Sequence, residues 1–298
     1  MATNNFKAFG IGSGANVTSQ ADYEALAALL TGFQSGKASS AQINKALRQS
    51  STMAYVLAQF IADSASVDVL DNGTPATILA NLKSSMTALT PGRLLNVQVF
   101  TTSGTYTPTN GAKKIVVEVL GAGGGGGSSS AANTSANGLG TGGGGGGYAK
   151  SYLTSVPASQ SVTVGVGGAA ASNGGASSFG SIIANGGTAG ANNLNATYQS
   201  GVTQLRGGFG GTASGGNIIN ARGGMSIQAL WTSAGNCISG AGGSSHFAGT
   251  TVAIGGAAAA GDSGTLGNGG SGANSIGTTS VLAGGSGGNG IVIVWEYA

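Results

Sequence analysis

The sequence predicts a mainly β protein. A short α-helical oligomerisation and attachment region, residues 1–94, precedes a β-sandwich-like domain, residues 95–298, with long glycine-rich loops. Three observations predict this. Only seven of the 60 glycines precede Phe100. Large apolar residues recur at helical spacing before residue 90, whereas after Leu95 they alternate with polar ones or run together. The C-terminus is a strongly apolar run, Ile291-Val-Ile-Val-Trp-Glu-Tyr297.

Residues 1–16 read as an irregular arm. Thr18 and Ser19 are candidate N-caps of a first helix, with Asp22 and Glu24 in its first turn. Leu26, Leu29, Leu30 and Phe33 give it an apolar face, and Gly32 or Gly36 stops it. A second helix starts near Ser39 or Ser40, with Ile43, Leu47, Ala54, Leu57 and Ile61 in line. After the turn Asp71-Asn72-Gly73, Thr74-Pro75 reads as N-cap and first position of a third helix, which Pro91-Gly92 ends. The faces are narrow and alanine-rich. Such helices bury little in a monomer, so they are expected to pack against another chain.

From Leu95 the period falls to two. Val97, Val99 and Thr101 alternate with polar residues, and turn chemistry follows at Ser103–Pro108 and Asn110-Gly111. Ile115–Leu120, Tyr148–Leu153 and Ser161–Val166 read as strands, Ser177–Ile183 as a weaker one, and Ile291–Tyr297 as the last. Short strands joined by turns argue for a sandwich or small barrel. The apolar character of the first and last strands predicts that they pair. The stretch 185–290 has too few large apolar residues to be core. It reads either as loops or as extended three-fold glycine helices packed side by side, the polyglycine-II arrangement, and the sequence leaves both open.

Composition narrows the function. The net charge is +3, with no basic cluster beyond Lys113-Lys114. That is too dilute for a phosphate-binding footprint, so no nucleic-acid partner is expected. A single cysteine, Cys237, precludes an internal disulfide framework. The N-terminus lacks the pattern of a secretory signal, and no apolar run reaches the roughly 18 residues of a membrane span.

Several motifs imitate chemistry and fail on their requirements. Gly121–Gly126 fits G-x-G-x-x-G after a strand, but Ser128–Thr134 lacks helical spacing and no acidic residue follows until Asp262. Gly147-Tyr-Ala-Lys150-Ser151 sets the lysine two residues too far from the last glycine for a phosphate loop. Gly261-Asp-Ser-Gly264 echoes a nucleophile loop. Its only base would be His246, the one histidine, and no separate acid is at hand to orient it. One Cys and one His make no metal site. Neither cofactor nor metal is expected, and no enzymatic activity. A glycan depolymerase on a fibre scaffold would need two spaced carboxylates, and the domain offers only Glu118, Asp262 and Glu296, two of them on apolar core strands.

Phe100–Pro108, Lys114–Gly127, Gly142–Gly147, Val162–Gly168, Ser177–Gly180 and Gly287–Val294 together resemble, in order, the glycine-rich domain of bacteriophage tail fibres. The resemblance covers about two thirds of the chain. More weakly, Asn44–Ser51, Leu57–Asp63 and Asp71–Pro75 resemble the particle-attachment region of tail fibres of tailed phages and prophages. It implies a homotrimeric fibre, attached by residues 1–94 to tail or baseplate proteins. A distal domain then binds a protein or glycan receptor on the bacterial surface, at the virion tail. The usual long shaft is missing, so the resemblance implies a short fibre or tail-tip protein.

Within 185–290 the large and charged residues are scattered, unlike the even repeat of a structural spacer or matrix protein. Exposed aromatics and arginines in loops are what binding surfaces use. Tyr198, Arg206, Phe209, Arg222, Trp231, His246 and Phe247 are therefore the candidate receptor-binding residues. Phe209 and Trp231 are equally readable as a small core under the loops.

Overall fold

The computed structural model describes residues 2–33, 39–131, 136–192, 196–197, 203–233, 236–277 and 280–298. The chain divides into two compact units, Met1–Pro91 and Gly92–Ala298.

The N-terminal unit holds α1 (Gln20–Glu24), α2 (Ala28–Thr31), α3 (Ser40–Ala65) and α4 (Pro75–Ala88). Ser19 caps α1, its Oγ accepting from the Asp22 N–H at 3.2 Å. The single helix expected over this stretch is two short ones, and neither buries a residue. Helices this short are marginal without packing, which leaves room for the break. Gly32, at φ 71°, stops α2. The unit's small core is Ala58, Ile61, Ala62 and Val69, with Phe6, Ile78 and Leu82 against it. Much apolar surface on α3 stays exposed, including Ile43, Leu47, Met53, Val56 and Leu57.

The second unit carries β1 (Leu94–Phe100), β2 (Gly104–Tyr106), β3 (Lys114–Leu120), β4 (Ala136–Leu139), β5 (Tyr148–Leu153), β6 (Gln160–Thr163), β7 (Ser177–Phe179) and β8 (Ile182–Ala184). β9 (Ala196–Thr197), β10 (Thr203–Leu205), β11 (Ala213–Ser214), β12 (Ile219–Ala221), β13 (Ala229–Ser233), β14 (Asn236–Ile238), β15 (Asn274–Ser275) and β16 (Ile291–Tyr297) follow. Two five-stranded antiparallel sheets, β1-β16-β3-β5-β12 and β11-β8-β7-β6-β2, form a sandwich. β1 and β16 pair, as their apolar patterns predict. The weak strand expected over 177–183 is the hairpin β7–β8, turned at Gly180 with φ 58°. Between the sheets lie Tyr106, Ile115, Val117, Val119, Val162, Phe179, Ile182, Val292 and Val294. Glu296 is buried at this core's edge. Its carboxylate accepts from the Tyr106 hydroxyl at 2.8 Å and from the Thr109 N–H and hydroxyl at 2.8 and 2.6 Å. Burial pushes this carboxyl up, but hydrogen bonds from Thr109, Tyr106 and Gln98 outweigh it and hold it below its ordinary value.

Ile291, Leu120, Tyr148 and Ala221 form the last row of the first sheet. Beyond it the strands give way to glycine-rich segments and the period changes from two to three. In 121–127 the N–H groups donate to three neighbours in rotation. Gly121, Gly124 and Gly127 donate to Gly147, Gly144 and Thr141; Ala122 and Gly125 to Gly175 and Ser172; Gly123 and Gly126 to Gly288 and Gly285, all at 2.8 to 3.1 Å. A partner that returns every third residue defines a three-residue-per-turn extended helix. The carbonyls of 121–127 accept in rotation from three further segments, 168–171, 187–190 and 270–273. Six chains therefore surround this one. The segment 140–147 is likewise bonded to 121–127, 185–191, 206–212, 222–227, 239–245 and 267–273. The result is a polyglycine-II lattice, which resolves the choice that the sequence leaves open over 185–290.

The lattice needs glycine for close approach rather than for φ. None of the glycines in 121–127 or 140–147 has positive φ. A Cβ on Gly144 would fall within 3.0 Å of the Phe209 carbonyl oxygen, and one on Gly124 within 3.0 Å of the Thr188 oxygen. Outer segments relax this at every third position. Asn185, Thr188 and Ala191 are exposed, as are Ala283, Ser286 and Asn289, with the intervening residues turned inward. Ordering glycine costs about 1–2 kcal/mol per residue of backbone entropy. Backbone hydrogen bonds return about 0.5–1.5 kcal/mol each, so apolar cores at the two ends of the lattice must help hold it.

Candidate functional site

The bond register gives the lattice two ends. Segments 121–127, 185–191 and 267–273 run away from the sandwich, and 140–147 and 281–290 run back towards it. With a rise of about 3.1 Å per residue, the lattice is about 20 Å deep. The near end is the sandwich, where the unit begins at Gly92, whose N–H donates to the Ala298 carbonyl at 3.1 Å. The far end is closed by two three-stranded sheets, β10-β13-β14 and β15-β4-β9.

This far end is built on a second small core. Leu139, Ala229, Trp231 and Cys237 are buried, with Leu205 and Ile276 packed against them. Trp231 pairs across the ladder with Cys237 on one side and Thr203 on the other. Beside this core lies a groove of about 330 Å³, lined by Leu230, Asn236, Cys237, Ile238, Gly255 and Gly256. Ile238 is 47 % exposed and its backbone bridges to Gly255. Gly256 sits at φ 72°, a conformation that costs any side chain strain. The lining has no ionisable group other than the Cys237 thiol. Burial pushes that thiol up, against a smaller opposing effect of its 3.2 Å contact with the Asn274 Oδ1. The groove therefore offers apolar contact, one amide side chain and backbone polar groups, a chemistry of binding.

The structure separates the residues singled out in the sequence. Trp231 is 6 % exposed, so it supports the far-end surface from beneath and is not presented on it. Of its two readings, the structure takes the core one. Arg206 begins the segment after β10, at the far end, with its guanidinium 4.6 Å from the ring centroid of Phe209. The two are three residues apart, one turn of the lattice helix, and share its flank. Arg222 lies at the near end, following β12, and its Nε donates to the Gly210 carbonyl at 3.0 Å. His246 and Phe247 are also at the near end. The His246 ring stacks on Tyr148 at 3.7 Å between centroids and 11° between planes, and Phe247 meets Tyr148 edge-on at 5.7 Å. These rings cover the last row of the sheet, at the opposite end from the groove. Tyr198 lies outside the described residues.

The carboxylates of the unit are apart as well. Glu118 pairs with Lys150 at 3.1 Å and accepts from the Tyr148 hydroxyl at 3.0 Å. Glu296 is sealed in the sandwich and Asp262 is exposed on the lattice. Among the described residues no group of three or more His, Cys, Asp and Glu could hold a metal ion, and no helix is long and apolar enough to cross a membrane.

Sequence reasoning missed Leu230, Asn236, Ile238 and Gly255-Gly256. A signal existed: Ala229–Ser233 and Asn236–Ile238 are two short β-prone runs separated by two residues, one of them Gly235.

No curated protein matches this chain. A family model described as a glycine-rich domain matches residues 100–297. That range takes in the lattice, both end sheets and the sandwich apart from β1, and by this match the chain belongs to the glycine-rich domain family.

Proposed function

We propose that this chain is a bacteriophage tail-fibre or tail-tip protein that binds a receptor on the host-cell surface. The observation that carries the reading is the polarity of the second unit. A sandwich where the unit's chain begins stands at one end of a backbone-bonded lattice, and a grooved, side-chain-bearing surface stands at the other. A pre-ordered lattice holds the far-end loops without an ordering cost at binding, which favours affinity from few contacts. The groove takes an uncharged or apolar feature of a protein or glycan receptor, and Arg206 adds a cation on the flank.

In this reading residues 1–94 form a homotrimer and dock on the tail or baseplate. The exposed Leu47 and Leu57 of α3 support self-association, and three copies of the groove add avidity. The mutual isolation of Glu118, Asp262 and Glu296 favours binding without catalysis. The test is adsorption of fluorescently labelled full-length chain to host cells and to a panel of strains lacking single surface proteins or glycans. Loss of adsorption on one strain identifies the receptor. Equal, unsaturable adsorption to all strains points instead to a structural spacer.

A further inference from the structure

Lys45 lies on α3 and is only 4 % exposed. Its ammonium sits 5.7 Å from the centroid of the Tyr23 ring. Among the described residues it meets no carboxylate and no hydrogen-bond acceptor, the one ion pair being Glu118–Lys150. The side chain is largely buried, yet the ammonium is not sealed from solvent and has no anion beside it; one aromatic face at this range returns only about 0.5–2 kcal/mol. The lysine borders a cavity of about 680 Å³. Arg48, one turn further along α3, faces the same cavity with Gln49 and Thr52, and Ile11 and Met53 supply an apolar wall. The nearby Glu24 carboxylate is held by the Gln20 amide at 2.7 Å. The cavity thus has two cations, further side-chain hydrogen-bonding groups and no carboxylate in its wall.

We propose that this cavity binds a carboxylate of an acidic peptide segment, flanked by apolar residues, from a partner protein. Charge complementarity selects the anion. Two cations are too few for a nucleic-acid backbone, whose binding needs several phosphate contacts. The apolar wall suits a peptide better than a free phosphate. Lys45 supplies a cation on a largely buried stem, and Arg48, partly exposed at the rim, supplies a planar fork for the same carboxylate. This site belongs to the N-terminal unit and does not depend on receptor binding by the lattice.

The experiment uses the full-length chain and a short fluorescein-labelled peptide of alternating leucine and glutamate, followed by anisotropy. A matching leucine–glutamine peptide and inorganic phosphate serve as competitors. Saturable binding that weakens with salt is expected, displaced by unlabelled glutamate peptide and not by either competitor. Lys45→Met should weaken it at least about thirtyfold, the usual loss when one partner of a buried charge pair is removed, and Arg48→Gln less. Without peptide, Lys45→Met should melt no lower than the parent, because a cation with no anion beside it gives way to an apolar side chain of similar length on a largely buried site. Equal binding of the glutamine peptide, displacement by phosphate, or unaltered binding by Lys45→Met would each overturn the proposal. So would absence of peptide binding together with a changed oligomeric state in Lys45→Met, which would assign the carboxylate to a second copy of this chain.

Discussion

Replacing Gly144 by alanine tests the lattice at its centre. The Gly144 N–H donates to the Thr188 carbonyl and its carbonyl accepts from the Gly124 N–H, both at 2.9 Å. The new Cβ would strike the Phe209 carbonyl, which accepts from the Thr188 N–H at 2.9 Å. Relief needs a separation of about 1 Å, enough to carry all three bonds past hydrogen-bonding distance. Each lost bond removes about 1 kcal/mol net, and buried groups left unsatisfied add about 1–3 kcal/mol. Alanine returns about 0.4–1 kcal/mol by restricting the unfolded chain. The expected loss is about 4 kcal/mol. For a unit of this size that lowers Tm by about 8–16 °C. The control is Gly249→Ala, where a Cβ meets nothing within 4 Å and φ is not positive. It should leave Tm unchanged or raise it slightly. Scanning calorimetry of both full-length variants decides the matter. If Gly144→Ala melts within about 2 °C of Gly249→Ala, the segments do not pack at a spacing that excludes a Cβ.

Four further outcomes are expected. Glu296→Gln should cost about 2 kcal/mol at neutral pH, the worth of hydrogen bonds to a charged acceptor. Because the folded-state pKa of Glu296 is depressed, its stabilisation is present above the unfolded value of about 4.3 and is lost as pH falls through the folded one. The parent's melting temperature should therefore fall more steeply on acidification than that of the variant, and parallel pH profiles would refute this. Ile238→Asp should abolish adsorption to host cells without altering the melt, whereas His246→Ala should adsorb like the parent. The reverse pattern would place the receptor surface at the near end. Trp231→Ala should lower stability by about 3–5 kcal/mol, measured by urea unfolding, because its ring is core; an unchanged midpoint would mean that it is surface. Leu47→Asp and Leu57→Asp in α3 should dissociate the oligomer, with light scattering moving from three times 28.2 kDa towards one. A parent that is itself monomeric would remove the basis of that expectation.

The order and most of the bounds of the long elements were determined by the sequence. Helical spacing from Ser40 and the Thr74-Pro75 start locate α3 and α4, and period-two apolar runs locate β3, β5 and β16. These are local patterns, because side-chain period follows backbone geometry. The β1–β16 pairing was also legible, from the apolar character of both strands. The lattice was present too, in a form that single-residue propensity does not register. Arg206-Gly-Gly-Phe209-Gly-Gly-Thr212 and Ala283-Gly-Gly-Ser286-Gly-Gly-Asn289 repeat with period three, and Gly123–Gly127 and Gly142–Gly147 carry glycine at every position. The first pattern marks an outer helix with one free face, the second an inner helix with six neighbours. What only the tertiary structure decided is which residues share an end. A segment of about 20 Å runs one way or the other according to its partners, and those partners lie up to 165 residues away, as for Gly123 and Gly288. So Arg206 and Arg222, sixteen positions apart, stand at opposite ends of the lattice. Trp231, an exposed-loop candidate by composition, sits beneath the groove because Leu139, Cys237 and Ile276 converge on it there.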